Sequence, residues 1–342
     1  MNADLDLILE IGVNHNNDLE TAKSLIYSAK RSGAKVVKFQ TYTANKLAAK
    51  VSPSYWDLNE EETTSQIDLF KKYDSFTEKD YRVLFELCQE LEIEFMSTCF
   101  DTEWVDKLDK FLLRYKVASA DITNFQLLSH IAKKSKPIIL STGAATFAEI
   151  RSAIAVIREL SSSKITLLHC VLNYPTNGIN ASISRIGELR KEFGEFDTGY
   201  SDHTKPDESN LAIILARTLG ATVVEKHFTL DKTQKGNDHY HAYDEEDVRS
   251  ILVDIHKIDQ MLKFEEGDFL KKQESARKFA RRGLYANIDL KKGTVITDSD
   301  VQSLRPVPDG GIPANQIESV IGKRLITDVL CGDPISMKDI SS

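Results

Sequence analysis

Eight short apolar runs, at 7–11, 36–39, 93–96, 115–118, 137–140, 165–168, 198–200 and 223–224, recur along the first two thirds of the chain. This rhythm constrains the fold most, because the segments between the runs have helical periodicity. Between 17 and 32, Leu19, Ala22, Ile26 and Ala29 share one face, and Gly33 is placed to end the helix. Between 77 and 90, Tyr81, Leu84, Phe85, Cys88 and Leu91 form a second apolar stripe. Buried strands alternating with helices imply a parallel sheet, since each helix carries the chain back to start the next strand. Two architectures share this local signature: a (β/α)8 barrel and an open doubly wound sheet.

The residues that end the runs favour the barrel. They are Glu10, Lys38 with Gln40, Ser97 with Thr98, Lys116 with Ser119, Ser141 with Thr142, His169, Ser201-Asp202-His203 and Glu225-Lys226-His227. A strand that merely leaves the core has no need of such groups at every end. In a barrel they would all face one rim, where active sites are built. Lys38 and Lys116 supply positive charge there, and Ser119, Ser141, Thr142 and Ser201 supply short donors, which together suit a phosphate or carboxylate. The last two runs each lead to a histidine and are joined by a helix-like segment over 207–220. A strand, helix, strand unit would bring His203 and His227 to the same sheet end. With Asp202 and Glu225 beside them, they form a candidate divalent-metal site with positions open to water and substrate.

Bulk properties narrow the partners. The 342 residues carry 44 basic and 52 acidic side chains, a net charge of −8, with no long basic run, so neither nucleic acid nor an anionic membrane is expected as a partner. Cys88, Cys99, Cys170 and Cys331 lack paired spacing, which fits a reducing cytoplasm better than a disulfide framework or a structural zinc. No run is long enough to span a bilayer, and the first residues lack a basic segment followed by an apolar one, so a soluble cytoplasmic chain is expected.

Beyond the eighth run, a loop over 231–241 and a long helix over 245–264 complete an expected barrel domain at 1–264, followed by a charged linker at 265–282. The remainder, 283–342, changes character. Residues 289–301 and 328–340 repeat one pattern: Asp, aliphatic, two residues, Gly, two residues, Ile, hydroxyl residue, two residues, Asp, aliphatic. That predicts a small pseudo-symmetric β-rich module. Between the copies, Leu-Arg-Pro-Val-Pro-Asp-Gly-Gly-Ile-Pro at 304–313 is stiffened by its prolines.

These motifs, taken together, resemble a known family. Glu-Ile-Gly-Val-Asn-His at 10–15, Val-Val-Lys-Phe-Gln-Thr at 36–41, Ser-Thr-Cys-Phe at 97–100, Tyr-Lys-Val-Ala-Ser-Ala-Asp at 115–121, Ile-Leu-Ser-Thr-Gly at 139–143, Tyr-Pro-Thr at 174–176, Ser-Asp-His at 201–203 and Glu-Lys-His-Phe at 225–228 are similar to those of the sialic acid (N-acetylneuraminate, nonulosonate) synthases. The tail resembles their C-terminal antifreeze-like (SAF) domain. The resemblance implies condensation of phosphoenolpyruvate with the open-chain aldehyde of an N-acylated hexose, giving a nine-carbon 2-keto-3-deoxy acid and phosphate. It implies a divalent cation, manganese by preference, on His203 and His227. Lys38, Thr98, Lys116, Ser119, Ser141 and Ser201 match the phosphoenolpyruvate contacts. Gln40, Tyr174, Asp238 and Arg305 match the sugar contacts, and Glu10, Asp121 and Glu225 are the carboxylates expected around the reacting atoms. The resemblance further implies a homodimer in which the small domain of one chain caps the barrel of the other and contributes Arg305.

The chain departs from that pattern near the expected sugar. Asn17 stands where a glycine is usual, Asp121 where many members have Glu, Leu172 where some have asparagine, and Gly-Asn-Asp-His at 236–239 replaces Gly-Pro-Asp-His. Either N-acetylmannosamine or a 2,4-diacetamido-trideoxy hexose is therefore an expected acceptor, because exchanging a sugar hydroxyl for an acylamino group changes the donors a pocket needs. A metal-dependent barrel aldolase acting on a phosphorylated sugar would use the same lysines and hydroxyls. A non-catalytic carbohydrate-binding protein would have no use for them on one rim.

Overall fold

In the computed structural model, residues 5–236 and 238–341 are described, so Asn237 of the 236–239 run lies outside the described residues. The chain divides into two compact units, residues 1–262 and 263–342. No helix among the described residues is long and apolar enough to cross a membrane.

The first unit is a closed barrel of eight parallel strands in sequence order: β1 (Asp6–Gly12), β2 (Val36–Thr41), β3 (Glu94–Cys99), β4 (Tyr115–Val117), β5 (Ile138–Ser141), β6 (Ile165–Cys170), β7 (Asp197–Asp202) and β8 (Val223–His227). Closure comes from the pairing of β1 with β8, which sets Glu10 opposite His227. All eight expected strands are present, and the open-sheet alternative is excluded.

The helices end where their caps dictate. Leu19–Ser32 begins at Asp18, whose carboxylate accepts from the Thr21 amide, and stops at Gly33 in the left-handed conformation. Glu78–Glu90 starts in a reciprocal box between Thr77 and Asp80. The helix between β7 and β8 is shorter than its periodicity predicts, Leu211–Thr218. Ahead of it, the Thr204 amide donates to Asp202 and Asn210 adopts a φ of 50°, which keeps 204–210 out of the helix.

Strand parity then sorts the side chains. Ile8, Val36, Met96, Ile139, Leu168 and Val223 point inward and pack as a plug across the barrel. The opposite faces of the strands join the helices in the main core, where fully buried Leu9, Val37, Leu140 and Val224 lie. Burying each such side chain contributes roughly 1.5–3 kcal/mol.

In the second unit, Glu266–Lys271 and Glu274–Ala280 form short helices with no buried residue. They precede a two-stranded antiparallel sheet of β9 (Gly283–Ala286) and β10 (Val301–Leu304). The sequence repeat becomes a local dyad. Leu290 and Val329, equivalent in the two copies, exchange backbone hydrogen bonds at 2.8 and 2.9 Å. Ile296 and Ile335 are equivalent too, and both are buried in the module's core. Thr297 with Asp300 and Ser336 with Asp339 form the same turn.

Candidate active site

One step toward the C-terminal rim from the apolar plug, the inward positions turn polar and floor a cavity of about 390 Å³. Two glycines let this floor close. A side chain at Gly199 would meet the Val223 carbonyl oxygen at 2.2 Å and a Leu168 methyl at 2.5 Å. One at Gly12, where φ is +54°, would meet Glu10 Oε1 at 2.7 Å.

One half of the floor is a lysine and carboxylate network. Lys38 Nζ pairs with Glu10 Oε2, donates to Thr98 Oγ1 at 2.8 Å and lies 3.9 Å from Glu225 Oε1. Lys116 Nζ donates to that same Glu225 oxygen at 3.1 Å, and Ser201 Oγ reaches it at 3.4 Å. Burial lowers the Lys38 ammonium to about 7 even though Glu225 opposes the shift. Burial also works against ionisation of Glu225, but Lys116 and Lys38 overcome it and hold the carboxyl at about 2. Three hydroxyls are left with protons to give. Ser119 Oγ accepts from the Gly143 amide at 2.9 Å, Thr98 Oγ1 accepts from Lys38, and buried Ser141 Oγ has no partner among the described residues. Two ammonium groups and three such donors facing one space can hold a phosphate or a carboxylate.

The other half is built from imidazoles. His203 and His227 have ring centroids 5.4 Å apart. His203 Nδ1 lies 2.8 Å from the Val171 carbonyl oxygen, which makes Nδ1 the protonated nitrogen and leaves the lone pair on Nε2. Asp238 Oδ2 lies 3.3 Å from His227 Nδ1 without the alignment of a hydrogen bond, and Asp238 Oδ1 lies 3.9 Å from His241 Nε2. Burial opposes ionisation of Asp238, but the charge of His227 holds its carboxyl well below the usual range. His227, Asp238 and His241 offer ligand atoms that all lie within 4.8 Å of one another. Imidazole nitrogens and a carboxylate oxygen are donors that divalent ions such as zinc, manganese and iron accept, and several of these atoms have no other partner. The residues present therefore fit a divalent cation.

Of the catalytic, substrate-contact and metal residues that the resemblance implies, all but Arg305 line this one cavity. Asp121 comes in on the 3-10 turn Ser119–Asp121 after β4, where burial pushes its carboxyl up. Gln40 leaves the end of β2, and Tyr174 stacks its ring 4.3 Å from that of His203. Arg305 belongs to the second unit, exposed just beyond β10.

Several strand-end residues face the other way. Asp202 is not beside the histidines: it accepts from Lys226 Nζ at 2.7 Å and from Tyr200 at 2.9 Å in the layer behind the strands. Ser97 bonds Thr41, Thr142 bonds the Leu168 carbonyl, and His169 bonds the Ala181 carbonyl at 2.7 Å. At β6 it is Cys170 that faces the cavity.

Sequence reasoning also missed part of the wall. Tyr55, Trp56 and Glu61 come from the loop between β2 and β3, which the Gly236 amide and Lys72 pin down through Glu60 and Glu61. That loop has no periodicity to read. His241 was missed as well, although the His-Tyr-His spacing at 239–241 is a visible ligand signal.

Residues 25–266 match the NeuB family, and residues 281–341 match the SAF domain. The N,N'-diacetyllegionaminic acid synthase of Legionella pneumophila is 36% identical over 343 residues, covering 98% of this chain and 94% of that relative. The pseudaminic acid synthase of Helicobacter pylori is 32% identical, with 98% and 97% covered. Among solved structures, the N-acetylneuraminic acid synthetase of Leptospira borgpetersenii superposes with a TM-score of 0.70 at 30% identity, over 81% of this chain and 94% of that one.

Proposed function

The chain belongs to the NeuB family, and from that premise we propose that it condenses phosphoenolpyruvate with the open-chain aldehyde of an acylamino hexose, releasing phosphate and a nine-carbon 2-keto-3-deoxy acid. The observation that carries this reading is the meeting, in one cavity, of a two-lysine anion cradle and a histidine and carboxylate cluster. An aldolase acting on a phosphorylated sugar would use the same lysines and hydroxyls, and phosphate release that depends on phosphoenolpyruvate separates the two readings.

In the proposed reaction Lys38 and Lys116, with Ser119, Ser141, Thr98 and Ser201, hold phosphoenolpyruvate and fix its C3 toward the aldehyde carbon. Gln40, Tyr174 and Asp238 position the sugar. A divalent cation bound by His203 and His227, which we take to be manganese, would polarise the aldehyde oxygen. The enol electrons form the new bond from C3 to the aldehyde carbon, water adds at C2, and the resulting tetrahedral carbon expels phosphate to leave the keto group. Glu10 is the base proposed for that water, because its Oε1 is buried in the floor without a partner. Glu225 orients Lys116 and Ser201, and Asp121, whose carboxyl burial pushes toward the neutral form, would hydrogen-bond a sugar or aldehyde oxygen.

For the acceptor we favour a 2,4-diacetamido-trideoxy hexose over N-acetylmannosamine. Leu172 and Leu47 give the wall apolar surface suited to a deoxy carbon and an acetamido methyl, and similarity to a legionaminic acid synthase points the same way. The proposal includes a homodimer in which Arg305 serves the partner's barrel, and a cytoplasmic setting that suits four free thiols. The test is incubation with phosphoenolpyruvate, Mn²⁺ and a panel of acylamino hexoses, with mass detection of products. A nine-carbon keto acid formed fastest from the diacetamido sugar is expected, and phosphate release without a condensation product would overturn the reading.

A further inference from the structure

His241 is fully buried, and among the described residues neither of its ring nitrogens has a hydrogen-bond partner. An imidazole in that state forfeits hydrogen bonds it made in water, a cost that a phenyl or leucyl side chain of similar bulk would not incur. The described residues around it supply no protein partner. The ring lies 4.6 Å from that of His227, 5.7 Å from Tyr174 and 6.0 Å from His203, and Asp238 Oδ1 lies 3.9 Å from its Nε2. That distance is too long for a hydrogen bond, but it suits two ligands of a shared ion. Donors on opposite sides of an ion with bonds of about 2.1 Å lie about 4.2 Å apart, and adjacent ones lie closer.

We propose that His241 is a direct ligand of the divalent cation, with Asp238 as the carboxylate ligand between it and His227. The chain then grips the ion through His227, Asp238 and His241 in addition to His203, and His227 Nδ1 and one ring nitrogen of His241 each gain a partner. Two histidines and one carboxylate occupying one side of an ion leave its remaining positions for His203 and substrate oxygens. The short turn His239–His241 sets this geometry. It carries His241 back beneath the end of β8, where the Tyr243 amide donates to the His227 carbonyl at 2.7 Å and ties the turn to the strand. Asp238 thereby acts on the sugar through the ion as well as by contact.

This inference rests on the synthase reading only for the presence of a cation, and its test needs no substrate. Pulsed EPR of the Mn²⁺-loaded full-length protein, with and without ¹⁵N-histidine labelling, counts the imidazoles on the ion. Three are expected, and two would overturn the proposal even if turnover were normal. In parallel, titration of free Mn²⁺ by its EPR signal should show His241→Ala and His241→Phe binding at least about tenfold more weakly than the parent, a loss at least that of disturbing a ligand's supporting contacts. Equal affinity in a His241→Phe protein with an unchanged apo melting temperature would also overturn it. If Mn²⁺ binds through three imidazoles but no condensation occurs, the reaction assignment fails and the ligand assignment stands.

Discussion

Around Lys38 and Lys116 the buried charges answer one another within the chain, whereas around His227 and His241 the buried polar atoms do not. In the lysine half the charges are paired, each ammonium with a carboxylate and Glu225 with both, while Glu10 Oε1, Glu225 Oε2 and Ser141 Oγ keep free acceptor or donor capacity. The histidine half has ring nitrogens without partners and one carboxylate for several imidazoles. Internal ion pairing keeps the lysines oriented before an anion arrives, so little reorganisation is needed when it binds. In the histidine half a bound ion would partner the ring nitrogens that the chain leaves free, so the cost of burying them is offset in the bound protein.

Four outcomes would break or sharpen that contrast. The largest effect is expected for His227→Ala, which should lower turnover about 10³-fold or more, roughly 4 kcal/mol of lost charge stabilisation, and abolish dependence on added Mn²⁺. Turnover assayed by phosphate release across a Mn²⁺ series checks it, and an unchanged rate would remove the site. Next, Lys116→Ala should raise KM for phosphoenolpyruvate about 100-fold, roughly 2.8 kcal/mol at 1.4 kcal/mol per decade. Mn²⁺ affinity should stay within about threefold, roughly 0.7 kcal/mol on the same scale. If both constants moved together, the two halves would not be separable.

The third outcome is a pH dependence. Lys38 has its pKa lowered to about 7, so its cationic form prevails below that value and is lost as pH rises through it. Phosphoenolpyruvate capture, read as kcat/KM, should therefore fall toward tenfold per unit above about pH 7. Lys38→Arg should flatten that limb by staying charged, and a limb that persists in the variant would assign it to another group. The smallest effect on chemistry is expected for Asp202→Asn. It breaks a buried ion pair behind the strands, which should cost about 3–5 kcal/mol of stability in a denaturant titration while KM for phosphoenolpyruvate changes less than about twofold.

What could be read from the residues follows the same physical divide. Strand positions were legible because a buried strand must be apolar and the helices around it periodic, and all eight strands stand where the runs do. Which polar residue at a strand end faces inward was less legible. Parity alone decides it, and β1 shifts register between Glu10 and Gly12. Lys38, Lys116, Ser201 and Glu225 face the cavity as their strand ends suggest, while Asp202 and His169 belong to the layer behind. The wall from Tyr55 to Glu61 was illegible, because a loop held by hydrogen bonds to Glu60 and Glu61 has no repeating pattern. His241 was visible as a residue but not as a neighbour of His227, since only the 3-10 turn after the eighth strand brings them together.

The missing side chain at position 199 has a reach beyond its own strand. Even a methyl group there would collide with the Val223 carbonyl and the Leu168 methyl, so the seventh strand could stay only by swinging away from the eighth. Ser201 and Glu225 sit one pleat further along the same two strands, and the 3.4 Å contact between them would open first. The grip proposed for the enol phosphate thus depends on a hydrogen atom two residues below it, and a methyl placed there should loosen substrate capture while every reactive group remains in the chain.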